Sequence, residues 1–331
     1  MVKIIKLSLI SFFLISMSCS KDNEIDNQSA LDQELDARST HDICIMSWNT
    51  WLLDTPTHPF GESPQCEENC ENRALSICET ILESGVEIVN LQEVFEDAGA
   101  QPLIRCLEDA GYQVLWDKTS GLLTASTFEM ELGAYQTFSA ENGWDKFKDK
   151  GFVIHNIKID DDCYIHNVNT HLQSGGGILS TFNRKRQWAQ LTRTLRFFND
   201  FGEFIISGDL NMDYGSGESE IIGESGFNPS FVLSGDSAEP TKEGSDDVLD
   251  YILFQENTQI SNVTTEVLAC EETTYFNIID NFQEDEFSYF GDEAPVDRYP
   301  EPFYTIEGPW STENCVSDHY PVLSCFEYDC D

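Results

Sequence analysis

Basic residues are scarce in this chain of 331 residues: 18 Lys+Arg stand against 60 Asp+Glu, a formal net charge of −42 at pH 7. A nucleic-acid duplex presents about one phosphate charge per 1.7 Å and is normally held by basic patches. So acidic a surface repels it, and nucleic acid is a poor substrate expectation. Long apolar runs are missing as well. The N-terminal one, residues 7–15, falls short of the ~20 residues that span a bilayer. No pair of CxxC units occurs, which argues against a thiolate-held metal. Core-forming material is not missing: 40% apolar and 12% aromatic residues exclude a disordered chain.

The N-terminus reads as an export signal. Lys3 and Lys6 give a charged start, residues 7–15 an apolar stretch, and Ser16-Met17-Ser18 a small-residue approach to Cys19. The pattern resembles a bacterial lipoprotein signal. It implies lipidation of Cys19, membrane anchoring through that lipid, and an exported protein at the outer membrane or cell surface. Ser16 stands where such signals usually carry Leu, so an ordinary cleaved signal on a secreted protein is the alternative. Residues 1–18 are then a leader, and residues 19–42, polar and almost without large apolar side chains, a disordered tether. Besides Cys19 there are ten cysteines, at 44, 66, 70, 78, 106, 163, 270, 315, 325 and 330. An even count in an exported chain implies up to five disulfides, with roughly 945 pairings open.

From residue 43 onward, strand and helix patterns alternate without an internal repeat or a break in composition, which predicts one α/β domain over 43–331. Apolar runs predict strands at 43–48, 86–91, 112–116, 122–126, 151–159, 163–169, 204–207, 248–254 and 320–326. Ala74, Leu75, Cys78, Ile81 and Leu82 recur at helical spacing, with Gly85 where a C-cap belongs. A second helix fits 103–110. Trp188, Leu191, Leu195 and Phe198 predict a long one over 181–199. That helix carries Arg184, Lys185, Arg186, Arg193 and Arg196, and a solvated face pairing with the acidic surface is the simplest reading of the run.

Polar residues cluster where these strands end. Asn49, Gln92-Glu93, Thr170-His171, Asp209-Leu210-Asn211, Asp250 and Asp318-His319 each follow or interrupt an apolar run. Strand-end loops are where α/β folds place their sites. One such residue is usually a turn former or cap, but six groups rich in side-chain oxygen suit a hard cation such as Mg²⁺ better than Zn²⁺. His319, with an ordinary pKa near 6.5, can accept a proton from water at neutral pH, and a carboxylate on its other nitrogen fixes which nitrogen is free. His41, His58, His155 and His166 match no motif and read as structural.

The ordered set Asn49, Glu93, His171, Asp209-x-Asn211, Asp250, Asp318-His319 resembles the exonuclease–endonuclease–phosphatase superfamily over residues 43 to about 327. Within it, the segments LQEVFED, DKGFV, THLQ, GDLNMD, LDYIL and SDHYPV look most like the secreted bacterial neutral sphingomyelinases. The resemblance implies a four-layer α/β/β/α sandwich of two mixed sheets, and Mg²⁺-dependent cleavage of sphingomyelin to ceramide and phosphocholine by in-line water attack. Mn²⁺ or Co²⁺ would act as substitutes, and a monomer working on membrane sphingomyelin or a related phospholipid is expected. It implies metal ligation by Glu93, with Asn49 and Asp318 beside it. Asp209 and Asn211 would orient water and phosphate, His319 would serve as general base held by Asp250, and His171 would bond a phosphate oxygen. Asp145, five residues before Lys150, resembles a sphingomyelinase segment whose Lys contacts the substrate phosphate. Other phospholipase C activity, a phosphoinositide phosphatase or an extracellular nuclease of the same superfamily are the alternatives. An aromatic, proline-rich stretch with Phe303, Tyr304 and Trp310 stands where such enzymes carry a membrane-contacting hairpin, a core-packed loop being the plainer reading.

Overall fold

Strand alternation decides how this chain stacks. The computed structural model describes residues 39–53, 70–143, 145, 148–161, 163–198, 203–256, 259–269 and 316–330. Cys19 and the Phe303, Tyr304 and Trp310 segment lie outside them. In chain order the elements begin with β1 (Ser39–Asn49), α1 (Cys70–Ser84), β2 (Ile88–Gln92), α2 (Asp97–Asp109), β3 (Gln113–Asp117), β4 (Leu122–Ser126), β5 (Glu129–Thr137), β6 (Gly151–Asp160) and β7 (Cys163–His171). They continue with α3 (Ile178–Leu195), β8 (Phe204–Asp209), α4 (Glu220–Glu224), β9 (Phe227–Pro229), α5 (Ser230–Ser234), β10 (Asp250–Gln255), β11 (Ile260–Val267) and β12 (Val322–Cys330). Thr40–Asp331 forms one compact unit. β1 starts at Ser39, so the last four residues of the expected tether are strand. α2 starts six residues before its expected position and carries Pro102 inside it. Among the described residues no helix is long and apolar enough to cross a membrane.

Two six-stranded sheets result, ordered β11-β12-β1-β2-β4-β3 and β5-β6-β7-β8-β10-β9. Both are mixed: β1–β2 and β7–β8 are parallel, bridged by α1 and α3, while β2–β4, β3–β4, β5–β6, β6–β7, β8–β10, β9–β10 and β11–β12 are antiparallel. One face of each strand meets helices. Met46, Trp48, Val89 and Leu91 pack with Ala74, Ile77 and Leu103 of α1 and α2. Phe152, Ile154, Val168 and Ile206 pack with Trp188 and Leu191 of α3. The opposite faces, with Ile43, Ile45, Ile88, Ile157, Ile165, Ile205, Ile252 and Phe254, close on one another. Two helix-covered sheets with a shared inner layer make the four-layer sandwich.

Because side chains alternate with period two, the inward face of each strand can be followed towards one end, where it turns polar. Ile43 and Ile45 give way to Ser47 and Asn49, Ile88 to Asn90 and Gln92, Ile165 to Asn167, Asn169 and His171, and Ile205 to Ser207 and Asp209. These groups satisfy each other across the sheets. Asn90 donates to Asn167 at 2.7 Å and to Ser207, Asn167 returns a bond to Asn90 at 2.8 Å, and Gln92 donates to Asn169 at 2.9 Å. A buried polar layer is tolerable only when paired in this way.

Three disulfides are described. Cys78–Cys106 joins α1 to α2, Cys44–Cys325 joins β1 to β12, and Cys163–Cys330 ties β7 of one sheet to β12 of the other. Cys70 is disulfide-bonded too. Each such link typically contributes about 2–4 kcal/mol, chiefly by restricting the unfolded chain.

His155, in the inner layer on β6, is structural as the sequence suggests. It is 2% exposed, its Nδ1 has no hydrogen-bond partner among the described residues, and burial pushes its pKa down to about 4. The unfolded chain therefore takes up this proton near pH 6.5 and the folded one only near 4. Stability is lost as pH falls through that window, by about 3 kcal/mol from this residue at 1.36 kcal/mol per pKa unit. Urea midpoints at pH 7.5 and 4.5 check this: His155→Phe should narrow the gap between the two, and an unchanged gap would refute the assignment.

Candidate active site

The polar end of the inner layer opens as a small cleft lined by Asn49, Trp51, Glu93, His171, Ser174, Asp209, Asn211, Lys242, Asp318 and His319. Asn49 ends β1, Glu93 follows β2, His171 ends β7, Asp209 ends β8, and Asp250, just behind the wall, begins β10. The parallel pair β7–β8 sets His171 directly opposite Asp209. Gly208 makes that approach possible: at φ 152°, a Cβ there would stand 1.8 Å from the Thr170 carbonyl oxygen. Glu93 (φ 60°), Asn211 (φ 51°) and Trp51 (φ 50°) all hold left-handed backbone. Such strain collects where surrounding structure fixes functional side chains.

The charged groups converge on Asp209. Its Oδ2 accepts from Asn49 Nδ2 at 3.0 Å and lies 3.4 Å from His171 Nε2 and 4.0 Å from His319 Nε2, while its Oδ1 accepts the Asn211 amide at 2.8 Å. Glu93 Oε1 is 3.8 Å from the same His171 nitrogen. His319 Nδ1 bonds Asp250 Oδ2 at 2.7 Å, which turns Nε2 towards Asp209 and the cleft. Burial alone would push the Asp209 carboxyl up, but His319, His171 and Lys150 outweigh it and hold it well below the usual range. For His319, burial opposes the charged ring, yet Asp250, Asp209 and Asp318 raise its pKa to about 10.

Asp145 and Lys150 sit one layer behind the wall. Lys150 is 2% exposed, and its ammonium donates to the Leu172 carbonyl at 2.9 Å, contacts His171 Nε2 at 2.9 Å and lies 3.4 Å from Asp145. It does not line the cleft, so here it meets His171 and not the space where a phosphate would sit. Asp145 is fixed by the Ser174 amide at 2.7 Å and by Gln173.

Two cations were not anticipated. Lys242 enters the cleft through a bridge that pairs it with His319, its Nζ 3.6 Å from Asp318. Arg73 on α1 donates to the carbonyls of Val316 at 2.8 Å and Thr50 at 3.0 Å, joining the loops that carry Asp318 and Asn49. Both contacts span large sequence separations, so no local spacing signals them.

The donor set fits a hard divalent cation. Asp209, Asp250 and His319 each offer a ligand atom within 4.8 Å of the others, a cluster able to coordinate one. Within that cluster His319 and Asp250 are already hydrogen-bonded, and Asp250 is buried. Glu93, Asn49, Asp209 and Asp318 also line the cleft with side-chain oxygens and could hold a cation there without breaking that bond.

A family model described as the Endonuclease/Exonuclease/phosphatase family matches residues 46–319. The chain belongs to this family. Metal-assisted hydrolysis of a phosphate ester comes with membership; a particular substrate does not. No curated protein matches. Among solved structures, sphingomyelinase C from Streptomyces griseocarneus is 21% identical with a TM-score of 0.59, over 86% of this chain and 99% of that one. A beta toxin variant from Staphylococcus aureus with bound magnesium ions is 18% identical with a TM-score of 0.60, over 86% and 99%. D. rerio TDP2 complexed with a single-strand DNA product is 15% identical with a TM-score of 0.56, over 86% and 98%. At these identities the likeness is one of fold.

Proposed function

We propose that this family member is a Mg²⁺-dependent sphingomyelinase, exported and anchored through a lipid on Cys19, that releases ceramide and phosphocholine. The observation that carries the substrate choice is the Asp145–Lys150 pair set against His171, in the segment that resembles the sphingomyelinases. The likeness in fold to sphingomyelinase C supports the same reading, as does the acidic surface, which disfavours a nucleic acid.

Glu93, with Asn49, Asp209 and Asp318, would hold the Mg²⁺. The bound cation supplies positive charge that neutralises the phosphate and offsets the carboxylate field around His319. His319 Nε2 takes the proton of the attacking water, with Asp250 holding the ring in the required tautomer. Asp209 and Asn211 orient that water. His171, backed by Lys150 from behind the wall, bonds the phosphate as charge develops, and Lys242 brings an ammonium into the cleft itself. Water oxygen bonds to phosphorus, the phosphorus–oxygen bond to ceramide breaks, and the ceramide oxygen regains a proton.

A headgroup-release screen with Mg²⁺ over sphingomyelin, phosphatidylcholine and plasmid DNA tests the proposal. Ceramide and phosphocholine release at least tenfold faster than the other reactions is expected. Efficient cleavage of phosphatidylcholine or DNA, without ceramide, would reject the substrate and leave the fold and site intact.

A further inference from the structure

The cleft continues directly into an exposed face whose character differs from the rest of the molecule. Ser174 lines the cleft, Gly175, Gly176 and Gly177 follow, and α3 begins at Ile178. Ile178 lies four residues on from Ser174, at most ~14 Å of chain. The first turn of α3 presents Ile178 at 91% exposure, Leu179 at 60% and Phe182 at 54%. Three large apolar side chains side by side in water are a contact surface more often than an accident.

The charge of the same helix is equally unusual. Residues 178–196 contain one lysine, four arginines and no acid, in a chain where acids outnumber bases more than threefold. Arg184 is buried and paired with Glu218 at 2.7 Å. Lys185, Arg186, Arg193 and Arg196 are exposed, and none forms an ion pair among the described residues; Arg186 instead lies over the Phe182 ring at 5.6 Å. The expected solvated face therefore forms, but among the described residues only Arg184 of this run pairs with an acid. Ile178, Phe182, Arg186, Arg193 and Arg196 fall on one side at spacings that keep them there, while Trp188, Leu191 and Leu195 on the other side fill the core.

We propose that this face of α3 docks the enzyme on a phospholipid bilayer. Ile178, Leu179 and Phe182 enter the acyl boundary, and Lys185, Arg186, Arg193 and Arg196 meet lipid phosphates and anionic headgroups. Apolar anchors beside unpaired bases are the combination that holds helices at an interface. The acid-rich remainder is repelled by the same surface, so a basic patch beside the cleft also orients the molecule, presenting Glu93 and His319 to the lipid. A nucleic acid would use the bases alone and leave the apolar tip in water. The inference deepens the reading of the substrate as a lipid and rests on it for its purpose, but not for its measurement.

The full chain carrying Cys19→Ser, so that no acyl anchor contributes, is mixed in EDTA with vesicles of phosphatidylcholine and phosphatidylserine at 4:1, and bound protein is measured by sedimentation. The parent should bind, and more weakly as salt rises. The triple variant Ile178→Ser, Leu179→Ser, Phe182→Ser and, separately, Lys185→Glu with Arg186→Glu should each lose at least tenfold in affinity. Their turnover of a soluble aryl phosphodiester should equal the parent's. The single variant Ile178→Ser, at the most exposed of these positions, guards against misfolding of the triple one and should show a smaller loss of the same kind. Unchanged vesicle binding by the variants, no binding by a parent active on the soluble ester, or binding to a DNA duplex in place of vesicles would overturn the proposal. Vesicle binding through α3 without ceramide release would uphold this surface and reject sphingomyelin as the substrate.

Discussion

Replacing His319 with alanine is expected to lower turnover about 10³-fold, within the 10²–10⁴ range of a general base. The ring is buried, its Nδ1 is committed to Asp250, and its Nε2 points at Asp209 and the cleft, so no other imidazole can substitute in the same position. His171 cannot, because its Nε2 is already approached by Lys150 at 2.9 Å and by Asn211 at 3.3 Å. The substitution leaves Asp250 buried without its partner, and burial already pushes that carboxyl up. It should therefore protonate, costing some thermal stability without unfolding the protein. His319→Asn separates the two effects: it can still donate to Asp250, so it should recover the thermal midpoint but not the turnover. Turnover in either variant within threefold of the parent would remove His319 from the reaction.

Glu93→Gln is expected to reduce activity at least 10²-fold at 1 mM Mg²⁺, with partial recovery as Mg²⁺ is raised. An amide matches the carboxylate in shape but offers a neutral oxygen, which a hard dication holds far less well. Glu93 is part-exposed and makes no contact that the core depends on, so the thermal midpoint should barely move. Glutamine also inherits the same left-handed backbone, which keeps strain out of the comparison. Calorimetric titration of Mg²⁺ provides a readout apart from turnover. Parent-like Mg²⁺ affinity in the variant would move the ligand role elsewhere.

The residues the sequence singled out sit where alternation has to send them. A strand that is Ile-x-Ile towards one end and Ser-x-Asn towards the other carries its polar pair on the face that was buried a few residues before, and Asn49 and Asp209 follow that rule. Gly85, expected as a cap, does hold φ 66° at the end of α1. Three strands were missed for a physical reason. β5 lies at a sheet edge and buries only Met130, and β11, also at an edge, buries none of its side chains, so neither shows an apolar run. β9 has three residues. The start of α2 was hidden by Pro102, which lacks the N–H that would have bonded the carbonyl of Ala98; that residue is exposed, so water can satisfy the group. Lys242 reaches the cleft by pairing with a residue 77 positions away, a partnership that composition and local spacing do not encode.

The graded inner layer has a further implication. Cohesion and reactivity occupy opposite ends of a single seam: greasy side chains clamp the two sheets at one end, and amide pairs hold them at the other without excluding the ionic groups beside them. Trimming an isoleucine at the dry end should thus cost melting temperature while sparing rate, and the wet end can be altered by evolution only as matched pairs, because a lone amide there loses its counterpart.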